Sequence, residues 1–218
     1  MRVCVVGASG FIGSNLSKMN PLWKALSRQD LDLLNQSAVE EFFSKNSFDV
    51  VIHSAACLKQ NRCSTTYTNI LMFENLLHAF TGKILYISSG VALKGSPPTE
   101  PYALSKWIIE QRSKEYDHVK CIRIWGCYGN GELPTRFSAV CRESKHVTIL
   151  RDRLFDFVSV SKLNDLLTDY VQERCSEKFY NLYETAEPLL LSEWATIFGA
   201  TCEIQDVSSL EEPYTSPR

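Results

Sequence analysis

The feature that most constrains the fold is a set of three glycines that follows the first apolar segment. Gly7, Gly10 and Gly13 come directly after a run at 2–6 with the pattern of a buried strand, and they open a stretch, 11–19, with a helical pattern. In a strand–turn–helix unit, these glycines permit a tight turn, a close approach of a pyrophosphate to the backbone, and close helix–strand packing. Together with Ser9, Phe11 and Ile12, they predict a dinucleotide phosphate site at a helix N-terminus.

The rest of the chain repeats this alternation of strand and helix. Short apolar runs at 49–54, 83–88 and 120–125 alternate with helical patterns, among them 66–80 and 102–116. Strands that are buried on both faces and connected by helices are typical of a parallel sheet. We therefore predict an α/β fold, namely a Rossmann-type doubly wound parallel sheet with a small, trimmed C-terminal substrate lobe.

The alternation loosens after about residue 126, which sets the predicted domain boundaries. We assign residues 1–130 to a dinucleotide-binding domain and residues 131–207 to a small substrate-binding lobe that is interleaved with the sheet. The stretch 208–218 contains two prolines and few apolar residues, so we expect a mobile tail.

Composition excludes several classes of function. The chain has 218 residues and 23 basic against 25 acidic side chains, a net charge of −2 that provides no broad basic surface for nucleic acid or an anionic membrane. No apolar run is long enough to span a bilayer, and the first one ends too early for a secretory signal. The eight cysteines show no metal-binding spacing, so we expect no metal and free thiols in the cytoplasm.

The segment after the second predicted strand, 23–27, bears on the choice of cofactor. A basic residue there pairs with the 2′-phosphate of NADP, whereas an acidic residue accepts hydrogen bonds from the ribose of NAD. Arg28 favours NADP(H), while Asp30 and Asp32 leave NAD(H) possible. We assign Arg28, Asp32 and Leu33 to the cofactor site.

A tyrosine and a lysine four residues apart begin the predicted helix 102–116. This spacing places Tyr102 and Lys106 on one face of the helix, where an ammonium ion favours the phenolate and lets the tyrosine exchange a proton with a hydroxyl or ketone. The preceding strand ends in Ser88 and Ser89, at the edge where α/β proteins bind ligands. We predict a catalytic set of Ser89, Tyr102 and Lys106, with Ser88 as the alternative serine.

These motifs resemble those of the extended short-chain dehydrogenase/reductase superfamily, in particular its NAD-dependent epimerase/dehydratase branch. The GxxGxxG turn, the segment 49–56, the RxxxxYG segment 123–129 and the DF segment 156–160 carry the resemblance. Segments 27–39 and 99–103 are most similar to the GDP-fucose synthases, which are GDP-4-keto-6-deoxymannose epimerase/reductases. The resemblance implies that the small residues Ala55 and Ala56 lie beside the cofactor and that Tyr102 and Lys106 contact it.

The sequence departs from that family at the substrate side. Val91 stands where the epimerising cysteine belongs, and residues 130–142 contain no histidine. Gly126 replaces the asparagine of the substrate pocket, and Phe155 replaces an arginine. The Asp-Glu pair of the 4,6-dehydratases is also missing after Ser89. We therefore carry over the cofactor site and the Ser/Tyr/Lys set, but not the epimerisation residues.

The resulting expectation is an NADP(H)-dependent oxidoreductase. It would reduce the 4-keto group of a nucleotide-linked 4-keto-6-deoxy sugar, with Tyr102 as the proton donor. Two alternatives remain open: a nucleotide-sugar 4-epimerase with bound NAD, and a non-catalytic NADP(H)-binding sensor or partner protein. In relatives, the helices that correspond to 66–80 and 102–116 form a dimer's four-helix bundle, so we also expect a homodimer.

Overall fold

The computed structural model describes residues 1–58 and 63–217, and the chain divides into two compact units. The N-terminal unit comprises Met1–Arg123 and Leu163–Tyr180, and the C-terminal unit comprises Ile124–Lys162 and Asn181–Arg218. The sequence predicts a boundary at residue 130, whereas the contacts place it at 123. They also return Leu163–Tyr180 to the N-terminal unit, because this segment leads into a strand of the large sheet.

Strands and helices alternate along the first part of the chain. They are β1 (Val3–Val6), α1 (Phe11–Met19), β2 (Lys24–Leu26), α2 (Gln36–Lys45), β3 (Val50–His53), α3 (Cys63–Ala79), β4 (Lys83–Ser89), α4 (Pro101–Ser113) and β5 (Val119–Ile124). A short 3₁₀ helix, Gly90–Leu93, follows β4.

The later elements are shorter. They are β6 (Gly126–Tyr128), α5 (Phe137–Ser144), β7 (His146–Ile149), β8 (Leu154–Phe155), β9 (Phe157–Ser159), α6 (Val160–Val171), β10 (Phe179–Leu182), β11 (Leu189–Leu190), α7 (Leu191–Ile197) and β12 (Thr201–Ile204).

The large sheet has the topology that the sequence predicts. Its six strands lie in the order β10-β5-β4-β3-β1-β2, and β2, β1, β3 and β4 pair in parallel. The chain runs from β1 outward to β2 and then returns to β3 on the other side, so the strand order reverses between β1 and β3. Ligands of doubly wound sheets bind at this point, beyond the carboxyl ends of the strands. The predicted Rossmann-type α/β fold is confirmed.

The core of the N-terminal unit lies between this sheet and its helices. Every residue of β1 and β3 is buried, as expected for strands covered on both faces. Phe73 of α3 and Ile109 of α4 pack in the same cluster as Val51 and Tyr86 of the sheet. Helices α3 and α4 therefore lie side by side on one face, where α4 reaches the carboxyl end of β4.

Close backbone packing at the carboxyl ends of β1 and β3 requires two of the three glycines. Gly7 has a φ of +83°, and a Cβ atom on it would lie 2.5 Å from the backbone nitrogen of Ala55. A Cβ atom on Gly13 would overlap the carbonyl oxygen of Gly7 and lie 2.8 Å from Ser54 Oγ. Because any side chain would push these segments apart, the glycines fix the position of α1 against both strands.

The C-terminal unit has a separate aromatic core and three two-stranded sheets. The sheets are β6–β9 and β7–β12, which are parallel, and β8–β11, which is antiparallel. Phe157, Trp194 and Phe198 pack together at ring distances of 5.1–5.6 Å. The predicted tail also contacts this unit: the Tyr214 N–H donates to the Leu154 carbonyl at 2.9 Å.

No helix among residues 1–58 and 63–217 has the length and apolar character needed to cross a membrane.

We predict that Gly7→Ala destabilises the protein more than Gly131→Ala does. Both glycines have φ near +80°, so alanine at either position costs about 1–2 kcal/mol in backbone strain. At Gly7, alanine also collides with Ala55, and such overpacking costs about a further 1–3 kcal/mol. At Gly131, no atom lies within 4 Å of the added Cβ. Urea unfolding followed by circular dichroism measures both losses, and equal losses would contradict the steric argument.

Candidate active site

The N-terminus of α1 is suited to bind an anion. Its cap residue, Gly10, has no side chain, and no acidic residue lies in the first turn. The first backbone N–H groups of a helix lack intrahelical partners and carry a partial positive charge, so they favour a phosphate. Ser9 and Gly10 are exposed, Phe11 and Ile12 are half-buried, and Gly13 is buried. The turn itself is tied to the sheet, because the N–H groups of Gly7 and Ala8 both donate to Leu26 at 3.0 Å.

The segment after β2 brings Arg28 and Asp32 together on the surface. Arg28 donates through Nε and Nη2 to Asp32 Oδ2 at 3.2 and 3.1 Å, and the Arg28 side chain is 74% exposed. An exposed ion pair of this kind contributes about 0–1 kcal/mol, so a phosphate can compete with the carboxylate for the guanidinium. Leu33 differs from these two: its side chain is buried in the core and its carbonyl accepts from Asn75 Nδ2 at 2.8 Å. Any contact that it makes with a cofactor therefore comes from its backbone.

The segment after β3 is held by a side chain that the sequence reasoning did not single out. Ala55 is half-buried against Gly7, Ala56 is exposed, and Cys57 follows them. Asn69, which is buried on α3, accepts from Cys57 N–H at 2.7 Å and donates to the Cys57 carbonyl at 3.1 Å. Asn69 therefore fixes the loop that carries the two alanines.

Asn69 also connects this loop to the catalytic helix. Its Nδ2 donates to Ser105 Oγ at 3.0 Å, and Ser105 Oγ donates to the Tyr102 carbonyl at 2.7 Å. The sequence offers no signal for this link, because 36 residues separate Asn69 from Ser105.

Helix α4 begins at Pro101, one residue before Tyr102. Glu100 caps the helix and accepts from the N–H groups of Tyr102 at 3.1 Å and Ala103 at 2.7 Å. Pro101 occupies the first turn, where its missing N–H costs nothing. The cap therefore places Tyr102 in the first turn and Lys106 one turn later on the same face.

Lys106 is buried at the carboxyl end of β4, with 2% of its surface exposed. Its Nζ donates to the Ile87 carbonyl at 2.8 Å and lies 4.4 Å from the ring centre of Tyr86 and 5.5 Å from that of Tyr102. Burial lowers the pKa of Lys106 to about 7, against smaller opposing effects of Cys121 and Glu110. The predicted pair of Tyr102 and Lys106 is therefore brought together, and a pKa of about 7 means that Lys106 exchanges its proton near neutral pH.

His53, at the end of β3, lies in the same buried region. Neither of its ring nitrogens has a hydrogen-bond partner among the described residues, and its ring packs against Tyr86 at 5.3 Å. Burial, and next the charge of Lys106, lower the pKa of His53 to about 3. His53 is therefore neutral at physiological pH and adds no second cation beside Lys106.

The two serines at the end of β4 have different surroundings. Ser88 is buried and donates through Oγ to Glu110 Oε1 at 2.6 Å. Ser89 Oγ caps the 3₁₀ helix by accepting from the Val91 N–H at 3.4 Å. Ser88 is therefore already engaged by Glu110. Ser89 stays the predicted catalytic serine, with Ser88 as the alternative.

The two substrate-side departures in the C-terminal unit are linked by packing. A Cβ atom on Gly126 would lie 2.6 Å from Phe157 Cδ1 and 2.7 Å from Phe155 Cε1. Phe155 and Phe157 themselves pack at a ring distance of 4.4 Å. An asparagine at position 126 would collide with these rings, so glycine at 126 and phenylalanine at 155 depend on each other.

The C-terminal unit also contains an open cavity of about 330 Å³. It is lined by Gly129–Glu132, Pro134, Ala139, Arg142 and Glu143. The buried carboxylate of Glu132 accepts from Ser138 Oγ at 2.7 Å and pairs with Arg142. The cavity wall is therefore fixed by an ion pair that ties the loop after β6 to α5.

Comparison with known proteins identifies the family. Residues 3–173 match the NAD dependent epimerase/dehydratase family. The chain belongs to this family. It is 24% identical, over 217 aligned residues, to a GDP-6-deoxy-D-talose 4-dehydrogenase of Aggregatibacter actinomycetemcomitans, a match that covers 84% of this chain and 74% of the relative.

Solved structures with the same fold include two reductases. A dTDP-4-dehydrorhamnose reductase of Bacillus anthracis, in complex with NADP, superposes with a TM-score of 0.81 at 21% identity and covers 98% of this chain and 87% of that one. A GDP-mannoheptose C4 reductase of Campylobacter jejuni, with NADP bound, gives a TM-score of 0.76 at 15% identity and covers 96% and 88%. At these identities the likeness establishes the fold.

We predict that the cost of burying Lys106 decreases as the pH rises from 7 to 9, so that the protein becomes more stable over this range. Because the pKa of Lys106 is lowered from its usual 10.5 to about 7, the unfolded chain binds more protons than the folded chain in this range. The free energy of unfolding of wild type should therefore rise with pH relative to Lys106→Met, which lacks the amino group. Urea unfolding of both proteins at several pH values measures the difference, and parallel pH dependences would contradict the assignment.

Proposed function

We propose that this protein is an NADP(H)-dependent reductase that acts on the 4-keto group of a nucleotide-linked 4-keto-6-deoxy sugar. The observation that carries the proposal is the position of the buried Lys106 Nζ, which lies 5.5 Å from the centre of the Tyr102 ring at the carboxyl edge of the sheet. The turn after β1, at the same edge, has the glycines expected of a dinucleotide site. Membership of the epimerase/dehydratase family supports the substrate class, as do the 4-keto chemistries in the names of similar proteins.

The residues at the turn fit a dinucleotide. The backbone N–H groups at the start of α1 would bind the pyrophosphate, and Gly10, the cap residue without a side chain, would let the backbone approach it. Ala55 and Ala56 would border the cofactor, and Lys106 would hold its nicotinamide ribose. When bound, the reduced nicotinamide supplies the hydride.

Tyr102 and its neighbours would supply the proton. As the ketone carbon accepts a hydride, its oxygen gains negative charge and takes the proton from the Tyr102 hydroxyl, which gives an alcohol and a phenolate. The nearby Lys106 cation stabilises that phenolate by Coulomb attraction. Ser89 would donate a hydrogen bond to the same oxygen and orient it.

NADP(H) is the favoured cofactor, and NAD(H) remains possible. The exposed guanidinium of Arg28 is placed after β2, where the 2′-phosphate of the adenosine would lie. The NADP bound to the two similar reductases supports this choice. The pairing of Arg28 with Asp32 weakens the preference, because the carboxylate repels a phosphate.

We further propose a reducing cytoplasmic location, which the free thiols of the seven described cysteines support. The predicted homodimer stays a prediction.

We predict that Tyr102→Phe loses at least about 100-fold in the rate of sugar reduction, since proton transfer by a positioned side chain contributes about 10²–10⁴-fold. The measurement is NADPH consumption with GDP-, dTDP-, UDP- and CDP-linked 4-keto-6-deoxy sugars, combined with NADPH binding by fluorescence. Binding should stay close to that of wild type. The control is Tyr67→Phe, which removes a hydroxyl from a side chain exposed on α3.

Two outcomes would contradict the proposal. Wild-type activity in Tyr102→Phe would show that another group donates the proton. Tight NADPH binding by wild type without turnover of any sugar in the panel would favour the non-catalytic binding protein.

We predict opposite effects of Arg28 and Asp32 on the choice of cofactor. Hydrogen bonds to a charged group are worth about 1.5–3 kcal/mol, so Arg28→Ala should weaken NADPH about 10–100-fold relative to NADH. Asp32→Asn frees Arg28 and removes a like charge from the phosphate, so it should tighten NADPH. Dissociation constants for both cofactors measure the ratio. Arg2→Ala, another exposed arginine paired with an aspartate, is the control, and an unchanged ratio in Arg28→Ala would refute the role of Arg28.

A further inference from the structure

A carboxylate that the proposed reaction does not use lies buried one turn beyond Lys106. Glu110 follows Lys106 by four residues on α4, so the two side chains share a face of the helix. The side chain of Glu110 is only 3% exposed. A buried carboxylate is costly unless it is paired and hydrogen-bonded, so its position requires an explanation.

Three hydrogen bonds hold the Glu110 carboxylate in place. Arg123, at the end of β5, donates from Nε to Oε1 at 2.9 Å and from Nη2 to Oε2 at 2.7 Å. Ser88 Oγ donates to Oε1 at 2.6 Å. Paired N–H donors from one guanidinium fix both oxygens, so the carboxylate cannot turn away from the helix face that it shares with Lys106.

The groups that face Lys106 come from four elements. His53 on β3, Tyr86 on β4 and Cys121 on β5 are neutral at pH 7, because burial lowers the pKa of His53 to about 3, raises that of Cys121 to about 12 and raises that of Tyr86 well above 10. On α4 itself, Tyr102 and Glu110 lie one turn to either side of Lys106.

Three further charged groups belong to α3, α4 and β5, the elements around Lys106. The Arg123 cation is engaged by Glu110 and is 16% exposed. On α3, which packs against α4, Glu74 pairs with Arg112. Among the described residues, Glu110 is the carboxylate that acts on Lys106, and its sign attracts an ammonium ion.

We propose that Glu110 is a positioning residue that acts through Lys106: fixed by Arg123 and Ser88, its buried carboxylate is the counter-charge of the Lys106 ammonium ion beside Tyr102. The proposal rests on the role of Lys106 in the proposed function. The direction of the Glu110 effect agrees with it, because Glu110 raises the pKa of Lys106 against the larger lowering by burial.

The charges predict shifts of opposite sign in two variants. Glu110→Gln keeps an oxygen that can accept from Ser88, but it removes the negative charge and keeps the positive charge of Arg123, so Lys106 should lose its proton at lower pH. Arg123→Gln leaves the Glu110 carboxylate without its guanidinium, so Lys106 should keep its proton to higher pH. A merely structural role for the ion pair would not produce shifts of opposite sign.

The experiment is a titration of Lys106 by NMR in the full chain labelled with ¹³C at the lysine ε-carbons. Lys106→Met identifies the signal by its loss. We expect the midpoint to fall by at least one pH unit in Glu110→Gln and to rise by at least one in Arg123→Gln. Glu74→Gln, which breaks an ion pair on the neighbouring helix, is the control and should leave the midpoint unchanged.

The outcomes separate this inference from the proposed function, because the titration needs neither substrate nor turnover. A midpoint that stays within 0.3 units of wild type in folded Glu110→Gln overturns the proposal. If Glu110→Gln does not fold, Arg123→Gln decides: a rise supports the proposal, and an unchanged or lowered midpoint overturns it. Opposite shifts in a protein that reduces no sugar would support the role of Glu110 and refute the reductase.

Discussion

Backbone-to-backbone packing at the carboxyl ends of β1 and β3 is the constraint on which the rest of the site depends. Gly7 lies against Ala55 so closely that a single methyl group would be 2.5 Å from a backbone nitrogen. Two residues after Ala55, Cys57 forms hydrogen bonds with the Asn69 side chain through both its N–H and its carbonyl. Asn69 in turn donates to Ser105, which donates to the Tyr102 carbonyl in the first turn of α4. The turn that would bind phosphate and the helix that carries Tyr102 are thereby linked through short, directional contacts.

The second organising feature is a small set of ionisable groups in a region of low polarity. His53, Cys121 and Tyr86 are neutral at pH 7, and burial moves the pKa of each further from 7. Lys106, Glu110 and Arg123 are the ionisable groups beside them that carry charge. Such an arrangement costs stability, since each buried ion gives up its hydration. Folded proteins tend to keep costly buried charges where they shape the pKa of a reacting group, and the location of these at the ligand edge of the sheet is consistent with that use.

The C-terminal unit shows how packing couples changes that look independent in the sequence. Gly126 and Phe155 each depart from the family pattern, and 29 positions separate them. In the folded unit, the rings of Phe155 and Phe157 fill the space that a side chain at 126 would need. Reverting either position alone would create a collision or a cavity instead of restoring the family's pocket.

Much of the fold is determined by local patterns in the sequence. Apolar runs predict the buried strands, and three- and four-residue periodicity predicts α1 and α4 within a few residues, because these signals arise from neighbours along the chain. The pattern is weaker where packing is not local. Helix α3 begins at Cys63, three residues before the apolar periodicity starts, and the two-residue strands β8 and β11 have too few residues to show a pattern.

The glycine turn and the Tyr102–Lys106 spacing could likewise be read directly, since the chemistry of each depends on residues within one turn or one helical repeat. Tertiary structure alone decided the rest of the candidate site. It bound Ser88 to Glu110 across 22 residues, placed Leu33 in the core against Asn75 across 42, and joined Asn69 to Ser105 across 36. These contacts depend on how the helices cross the sheet. The presence of a serine or asparagine in the sequence does not indicate which distant residue will be its hydrogen-bond partner.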